Sequence, residues 1–454
     1  MSVSTISIGI LISLLAAVPI IIKSTDKPNQ TNEINENDKN EGSFKVLSYN
    51  IAGLWELISE SHPKKYIQQI SPKLNDYDIV NIQENFAYNK ELNSKLTFKY
   101  KTDFTGNVPF GDGLMTLSKY PIYNYDRVGW DKIYGVDAPT KRGFSFTSIE
   151  LKSGYFIDIY NLHTDAFDDK SSIKGRNSNL EQISKYIQGI SEGKAVIVYG
   201  DTNSLYTHGF DKILDLLIKP CNLSDAWVEK VMGGKYPEQG PDLDPDDLEP
   251  NLKQKGEVLD KILYRSGKNV EIEVTSFKIL FEEFTDEEGN QLSDHYPITA
   301  DIKYKLIEGG ILTSDLYGQS KGEGFSFIGK MDGNYPSSIT ISSISNRIIK
   351  VGFTYQTNGK VTVGRNEGNE KVYEFKDGEY ITKMTVCKNR KLLVGPYHIS
   401  YIKLTTNLNN IISAGQFQSL NQKTFEAPEG YSIAGFMGYY SDFIHKIGCV
   451  YQKI

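Results

Sequence analysis

Eight polar residues stand beside stretches that read as β-strands. They are Asn50 after "VLSY", Glu84 after "VNIQ", His163 after "IYNL", Asp201 and Asn203 after "VIVYG", Asp260 within "EVLDKIL", and the adjacent Asp294 and His295 ahead of "YPIT". Any one of them is an ordinary turn residue. Together they offer only carboxylate, carboxamide and imidazole, a restriction that turn chemistry does not impose. Carboxylate and amide oxygens are ligands for a hard cation such as Mg²⁺, and imidazole titrates near neutrality. The set suits metal-assisted hydrolysis, in which charge on the attacked group is neutralised while a base takes a proton from water. No thiolate–histidine set of the kind zinc prefers accompanies it.

Residues so far apart need a rigid frame. The chain has 454 residues, 39% hydrophobic and 24% charged, which implies two or more globular domains. Strand-like segments such as "FKVLSYNI", "YDIVNIQE", "YFIDIYNLH" and "KAVIVYGD" alternate with helical patterns such as "NLEQISKYIQGISEG". This mixture predicts a layered α/β domain over residues 43–306. From residue 310 to 454 helical patterns nearly vanish and short strands alternate with Gly and Asn turns, which predicts an all-β domain, sandwich or prism.

The apolar run "ISIGILISLLAAVPIII" at residues 6–22 reads as a signal peptide within 1–22, with a retained signal anchor as the alternative. The expected location is therefore secreted or, alternatively, membrane-anchored and facing the extracellular or lumenal side. Residues 23–42 hold one aliphatic side chain, Ile34, and read as a disordered linker. Of the three cysteines, Cys387 and Cys449 are candidates to pair, leaving Cys221 free. A net charge of -7 disfavours nonspecific nucleic-acid binding. The acidic stretch "DLDPDDLEPN" imitates a calcium loop, but Asp247 stands where that loop needs Gly and Lys253 where it needs Glu, so it reads as a solvated loop.

The blocks "SYN", "IQEN", "NLHTD", "YGDTNS", "VLDKIL" and "LSDHYPI" resemble, in order and spacing, the DNase I-like endonuclease/exonuclease/phosphatase superfamily. "GDGLMTLSKYPI", "TKRGFSFTSIEL" and "GDTNS" are most similar to its secreted neutral sphingomyelinase C branch. The resemblance implies a four-layer α/β sandwich and a Mg²⁺-dependent phosphoric diester hydrolase, with Mn²⁺ or Ca²⁺ as alternative cations. It implies Glu84 as principal metal ligand, with Asn50 and Asp294 assisting at the metal. Asp201 and Asn203 would orient the water and a phosphoryl oxygen, His163 would donate to a phosphoryl oxygen, and His295, oriented by Asp260, would be the general base. Lys141 and Arg142 are either phosphate contacts or surface charges.

The region from Gly310 to Tyr451 resembles a jacalin-type lectin through "SSITISSISNRIIKVGFTYQTNGK" and "GFMGYYSDFIHKIGCVY". That resemblance implies a β-prism able to fold alone, with a sugar site at Gly438, Tyr439, Tyr440 and Asp442 walled by Gly322 or Gly324. The expected partners are a phospholipid or sphingolipid at a membrane surface and a carbohydrate; no protein partner is expected. A secreted nuclease acting on nucleic acid, and an inactive carbohydrate-binding protein, are the alternatives. Just upstream of the Asp294–His295 pair, Phe277, Leu280, Phe281 and Phe284 either touch a bilayer edge or belong to an ordinary core strand.

Overall fold

In the computed structural model the described residues are 40–56, 62–134, 141–390 and 395–454. The expected leader and nearly all of the expected linker lie outside them. Glu41 and Gly42, assigned to that linker from sequence, instead begin the first strand, where Gly42 pairs with Tyr304. Among the described residues no helix is long and apolar enough to cross a membrane.

The α/β region is built on two six-stranded sheets. Its strands are β1 (Glu41–Asn50), β2 (Ile79–Gln83), β3 (Tyr100–Lys101), β4 (Met115–Ser118), β5 (Ile122–Gly129), β6 (Gly143–Lys152), β7 (Tyr155–His163), β8 (Ala195–Asp201), β9 (Ser224–Asp225), β10 (Asp260–Arg265), β11 (Val270–Ile279) and β12 (Ile298–Leu306). The sheet orders are β11-β12-β1-β2-β4-β3 and β5-β6-β7-β8-β10-β9. Helices α1 (Pro63–Lys73) and α2 (Asn89–Asn93) belong to the first half of this region, α3 (Lys170–Ile190) and α4 (Ala226–Lys230) to the second.

Alternation along the strands decides what each sheet faces. On β1, Phe44 and Val46 join the large central core, whereas Leu47 and Tyr49 pack with Ile67 and Ile70 of α1. On the far side, Phe144, Phe146 and Tyr160 of the second sheet meet Tyr186 of α3. Helix, sheet, sheet and helix give the four-layer sandwich. The seam between the sheets is not wholly apolar: Asn81 on β2 donates to the Tyr160 and Tyr199 carbonyls, and Gln83 donates to Asn161 at 2.7 Å. Buried amides of this kind have to be satisfied, and each bond fixes the register of one sheet on the other.

The C-terminal region is all β, with a branched nine-stranded sheet and a four-stranded one. Their core is closed by Phe353 against Phe436, with ring centres 4.9 Å apart, and by Tyr355 donating to the Ala434 carbonyl. Cys387 and Cys449 are buried and unbridged, so the expected pairing does not occur.

This region is not a separate bead. Residues 40–454 form one compact unit, and one hydrophobic cluster runs through both regions. Leu306 ends β12 and the next strand starts at Leu312. Gly189 of α3 approaches so closely that a Cβ there would stand 2.6 Å from the Gly324 carbonyl oxygen. Beside it the Tyr186 and Tyr439 hydroxyls are hydrogen-bonded, Ser320 donates to Asp126, and Lys446 Nζ lies 3.8 Å from Asp126 Oδ2.

Candidate active site

Two parallel strand pairs, β1–β2 in one sheet and β7–β8 in the other, end at the same edge of the sandwich. Asn50 lies opposite Gln83, just before Glu84, and His163 lies opposite Asp201. β10 then brings Asp260 into register with Asp201, and β12, paired to β1, carries His295 ahead of it. Several of the turns are strained. Glu84, Ala52 and Asn203 have φ of 58°, 46° and 44°, a left-handed conformation that costs an L-residue about 1–2 kcal/mol. Gly113 permits the approach at Glu84, since a Cβ there would meet the Phe86 ring at 2.7 Å.

Asp201 is the hub. Its Oδ2 accepts from Asn50 Nδ2 at 3.1 Å, and lies 3.2 Å from His163 Nε2 and 3.7 Å from His295 Nε2. Its Oδ1 accepts from the Asn203 amide. Asn50 Nδ2 also reaches Glu84 Oε1 at 3.3 Å. His295 Nδ1 is 2.8 Å from Asp260 Oδ2, and Ser48 donates to the other oxygen of Asp260.

The electrostatics separate the two histidines. Burial, aided by the Arg142 guanidinium, pulls His163 down to about 3, so it is neutral. Burial pulls His295 down as well, but the Asp201 and Asp260 carboxylates prevail and push it up to about 10. Burial alone would raise Asp201; His163 and His295 outweigh it and keep this carboxyl below its usual range. Glu84 is raised by burial, against the pull of Arg142 and His295.

Six of the sequence-derived residues, Asn50, Glu84, His163, Asp201, Asp260 and His295, thus meet in one hydrogen-bonded and charged cluster. Asn203 flanks it, with its side-chain amide turned to the Thr164 carbonyl at 3.1 Å. Asp294 is not in that contact set: it is exposed, accepts from Ser293 Oγ at 3.2 Å, and acts on Glu84 and His295 through its charge. The sequence left Arg142 open between surface and site. It is 9% exposed, with Nη2 3.7 Å from Glu84 Oε1 and Nη1 donating to the Thr164 carbonyl, while Lys141 is exposed. Ser48 and Trp130, whose indole holds the His163 carbonyl, were not singled out; nothing local marks a residue whose partner lies on another strand.

The cluster fits a hard cation. Three carboxylates converge there against one guanidinium and one imidazolium. Asp201, Asp260 and His295 offer atoms within 4.8 Å of one another. The 2.8 Å contact between Asp260 and His295 is a hydrogen bond, however, and leaves no room for an ion between them. The carboxylate oxygens of Glu84 and Asp201 are the better seat; Asn50 turns its Nδ2 to both of them, while its Oδ1 accepts from the Ala52 amide.

Of the sugar residues expected from sequence, Tyr439 is corrected by the structure. It is 1% exposed and bonded to Tyr186, so its face is closed to a sugar ring. Gly438 is buried too, where a Cβ would lie 1.9 Å from the Lys446 carbonyl oxygen. Tyr440 is half-buried and donates to Glu323, and Asp442 is exposed beside Arg365 at 3.4 Å. Gly324 packs on Ile190 of α3, while Gly322 stays exposed beside Tyr440. Upstream of His295, Phe277, Leu280 and Phe284 are buried and Phe281 is half-buried, which removes the bilayer-edge alternative for the first three.

Comparison with known proteins agrees with this division. Residues 314–450 match the jacalin-like lectin domain family. Over 272 residues the chain is 35% identical to a sphingomyelinase of Mycobacterium tuberculosis, an alignment covering 58% of this chain and 53% of that protein. The chain thus spans about half the length of that relative. A phospholipase C of Staphylococcus aureus is 23% identical over 305 residues, covering 58% of this chain and 89% of that protein. Among solved structures, a variant of beta toxin from Staphylococcus aureus with bound magnesium ions matches at 22% identity and a TM-score of 0.42, covering 57% of this chain and 99% of that one. Calystegia sepium agglutinin matches at 22% identity and a TM-score of 0.27, covering 31% of this chain and 96% of that one. The chain thus carries an α/β region similar over 272 residues to sphingomyelinases, followed by a region, residues 314–450, that matches the jacalin-like lectin domain family.

Proposed function

We propose that this protein is an exported, Mg²⁺-dependent phosphodiesterase that hydrolyses a phosphosphingolipid or a related phospholipid, and that its lectin domain holds it on glycan-bearing surfaces. The observation that carries the reading is the His295–Asp260 pair aimed across Asp201 at Asn50 and Glu84. The 35% identity to a sphingomyelinase supports the substrate class.

Glu84, with Asn50 and Asp201 beside it, would hold the cation; when bound, it neutralises the non-bridging oxygens and acidifies water. In its neutral form, which a cation's charge beside Glu84 and Asp201 would favour, His295 Nε2 takes the proton of the attacking water, and Asp260 steadies the resulting imidazolium through Nδ1. Asp201 and Asn203 orient that water. Neutral His163 keeps an Nε2–H to share with a phosphoryl oxygen, and Arg142 adds a fixed positive charge nearby.

Hydrolysis of sphingomyelin vesicles, measured beside nicking of supercoiled DNA at matched Mg²⁺, tests the reading. Phosphocholine release should stop with EDTA and return with excess Mg²⁺. Nicking without phosphocholine release would replace the lipid reading by a nuclease, and turnover unaffected by EDTA would remove the cation.

A lipid substrate also accounts for the loops around the site. Trp55 beyond β1, Phe110 ahead of β4, Phe167 beyond β7 and Phe210 beyond β8 are all exposed, Phe110 at 72% and Phe167 at 60%. Aromatic rings suit the headgroup layer of a bilayer. Burying a Phe side chain is worth about 1.5–3 kcal/mol. Phe110→Asp with Phe167→Asp should therefore weaken co-sedimentation with sphingomyelin vesicles by at least about tenfold. Hydrolysis of a water-soluble phosphodiester should stay at the parent rate; equal loss on both substrates would place these rings in the site itself.

A further inference from the structure

The close approach of α3 to Gly324 leaves a groove of about 950 Å³ between the α/β region and the lectin domain. We infer that this groove is an oligosaccharide-binding site built by both regions, so that neither region alone possesses it. The inference rests on the glycan-binding reading of the lectin domain and makes Tyr439 part of the floor of the site, hydrogen-bonded to Tyr186, instead of a ring on which a sugar stacks.

Four observations carry it. The volume lies within the range of about 300–1,000 Å³ typical of ligand sites. Its charges balance: Arg127 is paired with Asp112 and Asp126 faces Lys446, which leaves Asp131, Glu181 and Glu323 against Lys132, Lys185 and Lys321. Such a lining has no preference for an anion or a cation and many donors and acceptors for a neutral polyhydroxyl chain. The floor is prepared, because Tyr186, Tyr439, Asp126 and Ser320 are already locked to one another, so that little ordering remains to oppose binding. Finally, among the described residues the side chains of Glu181 and Lys185, one turn apart on α3, have no hydrogen-bond or ion-pair partner although both line the groove.

The lectin fold faces the groove with Lys321, Gly322 and Glu323, and Gly322 packs so closely on the Tyr440 carbonyl that a Cβ would lie 2.0 Å from its oxygen. The α/β region supplies the opposite wall. A sugar held here is read from two sides, and the part contributed by α3 is absent from the lectin domain taken by itself.

The test is binding of the full-length protein to an array of neutral and acidic glycans, followed by titration of the strongest neutral oligosaccharide. Ser178→Trp, which would fill the groove from α3, and Glu181→Ala with Lys185→Ala should each weaken binding by at least about tenfold. Phosphocholine release from detergent-dispersed sphingomyelin and the thermal melt should stay as in the parent. Parent-like binding by both variants, with binding lost in Asp442→Ala, overturns the groove and leaves a sugar site at the loop tip. No binding by the parent to any glycan removes the lectin reading itself.

Discussion

His295→Ala should lower phosphodiester turnover by a factor on the order of 10²–10⁴, the usual worth of a positioned general base, without changing the melting temperature appreciably. The side chain is 18% exposed, so its removal opens no deep cavity. Asp260→Asn is the more diagnostic change. It keeps the shape but removes a charge that favours the imidazolium, so the limb of the pH–rate profile that reports loss of the His295 proton should move to lower pH. The paired variant should be little worse than His295→Ala, because residues that act as a unit are not additive. Additive losses, or an unmoved limb in Asp260→Asn, would sink the assignment.

Much of that site was legible because each member sits at the end of an apolar strand, where a polar residue is conspicuous. Asn50, Glu84, His163 and Asp201 each follow a run buried on both faces, and parallel pairing then carries their ends to one edge. Pairing across the sandwich left no such mark. Asn81 looks like one polar interruption in β2, and only its carbonyl partners on β7 and β8, 79 and 118 residues away, show why it is there. Arg142 was ambiguous for the same reason, since a charge next to an exposed Lys141 reads as surface until Glu84 is placed against it. The misreading of Tyr439 has a different origin. Its strand, Tyr431–Tyr440, is buried along nearly its whole length, and at Tyr439 the covering group is Tyr186 of α3; a pattern read within one domain does not report a neighbour.

The second large effect lies at that covered face. Asp126→Ala should cost about 3–5 kcal/mol, because it strands the buried ammonium of Lys446 with Ser320 as its remaining close polar contact. Burial already disfavours the charged form of Lys446, and Asp126 is the first group that opposes this. Adding Lys446→Met should return much of the loss, since an apolar side chain of similar volume has no charge to strand. Urea unfolding of parent, single and double variants decides the matter: a single variant as stable as the parent, or a double variant less stable than the single one, would show that the ion pair contributes nothing at the junction.

Only residues 307–311 link Leu306 to the strand that begins at Leu312, and both ends are held in sheets. A flexible tether would let the two regions move independently; here a five-residue link and a shared hydrophobic cluster join them in one compact unit. A surface sugar then works as a height gauge. On the proposed function, glycans that project to the matching height above a membrane would place the catalytic edge on the headgroups, and shorter or taller ones would hold it clear of them. Two-point attachment of this kind gains avidity only when the geometry agrees, so on this reading choice of target would be a matter of the architecture of the bound surface as much as of chemistry in either pocket.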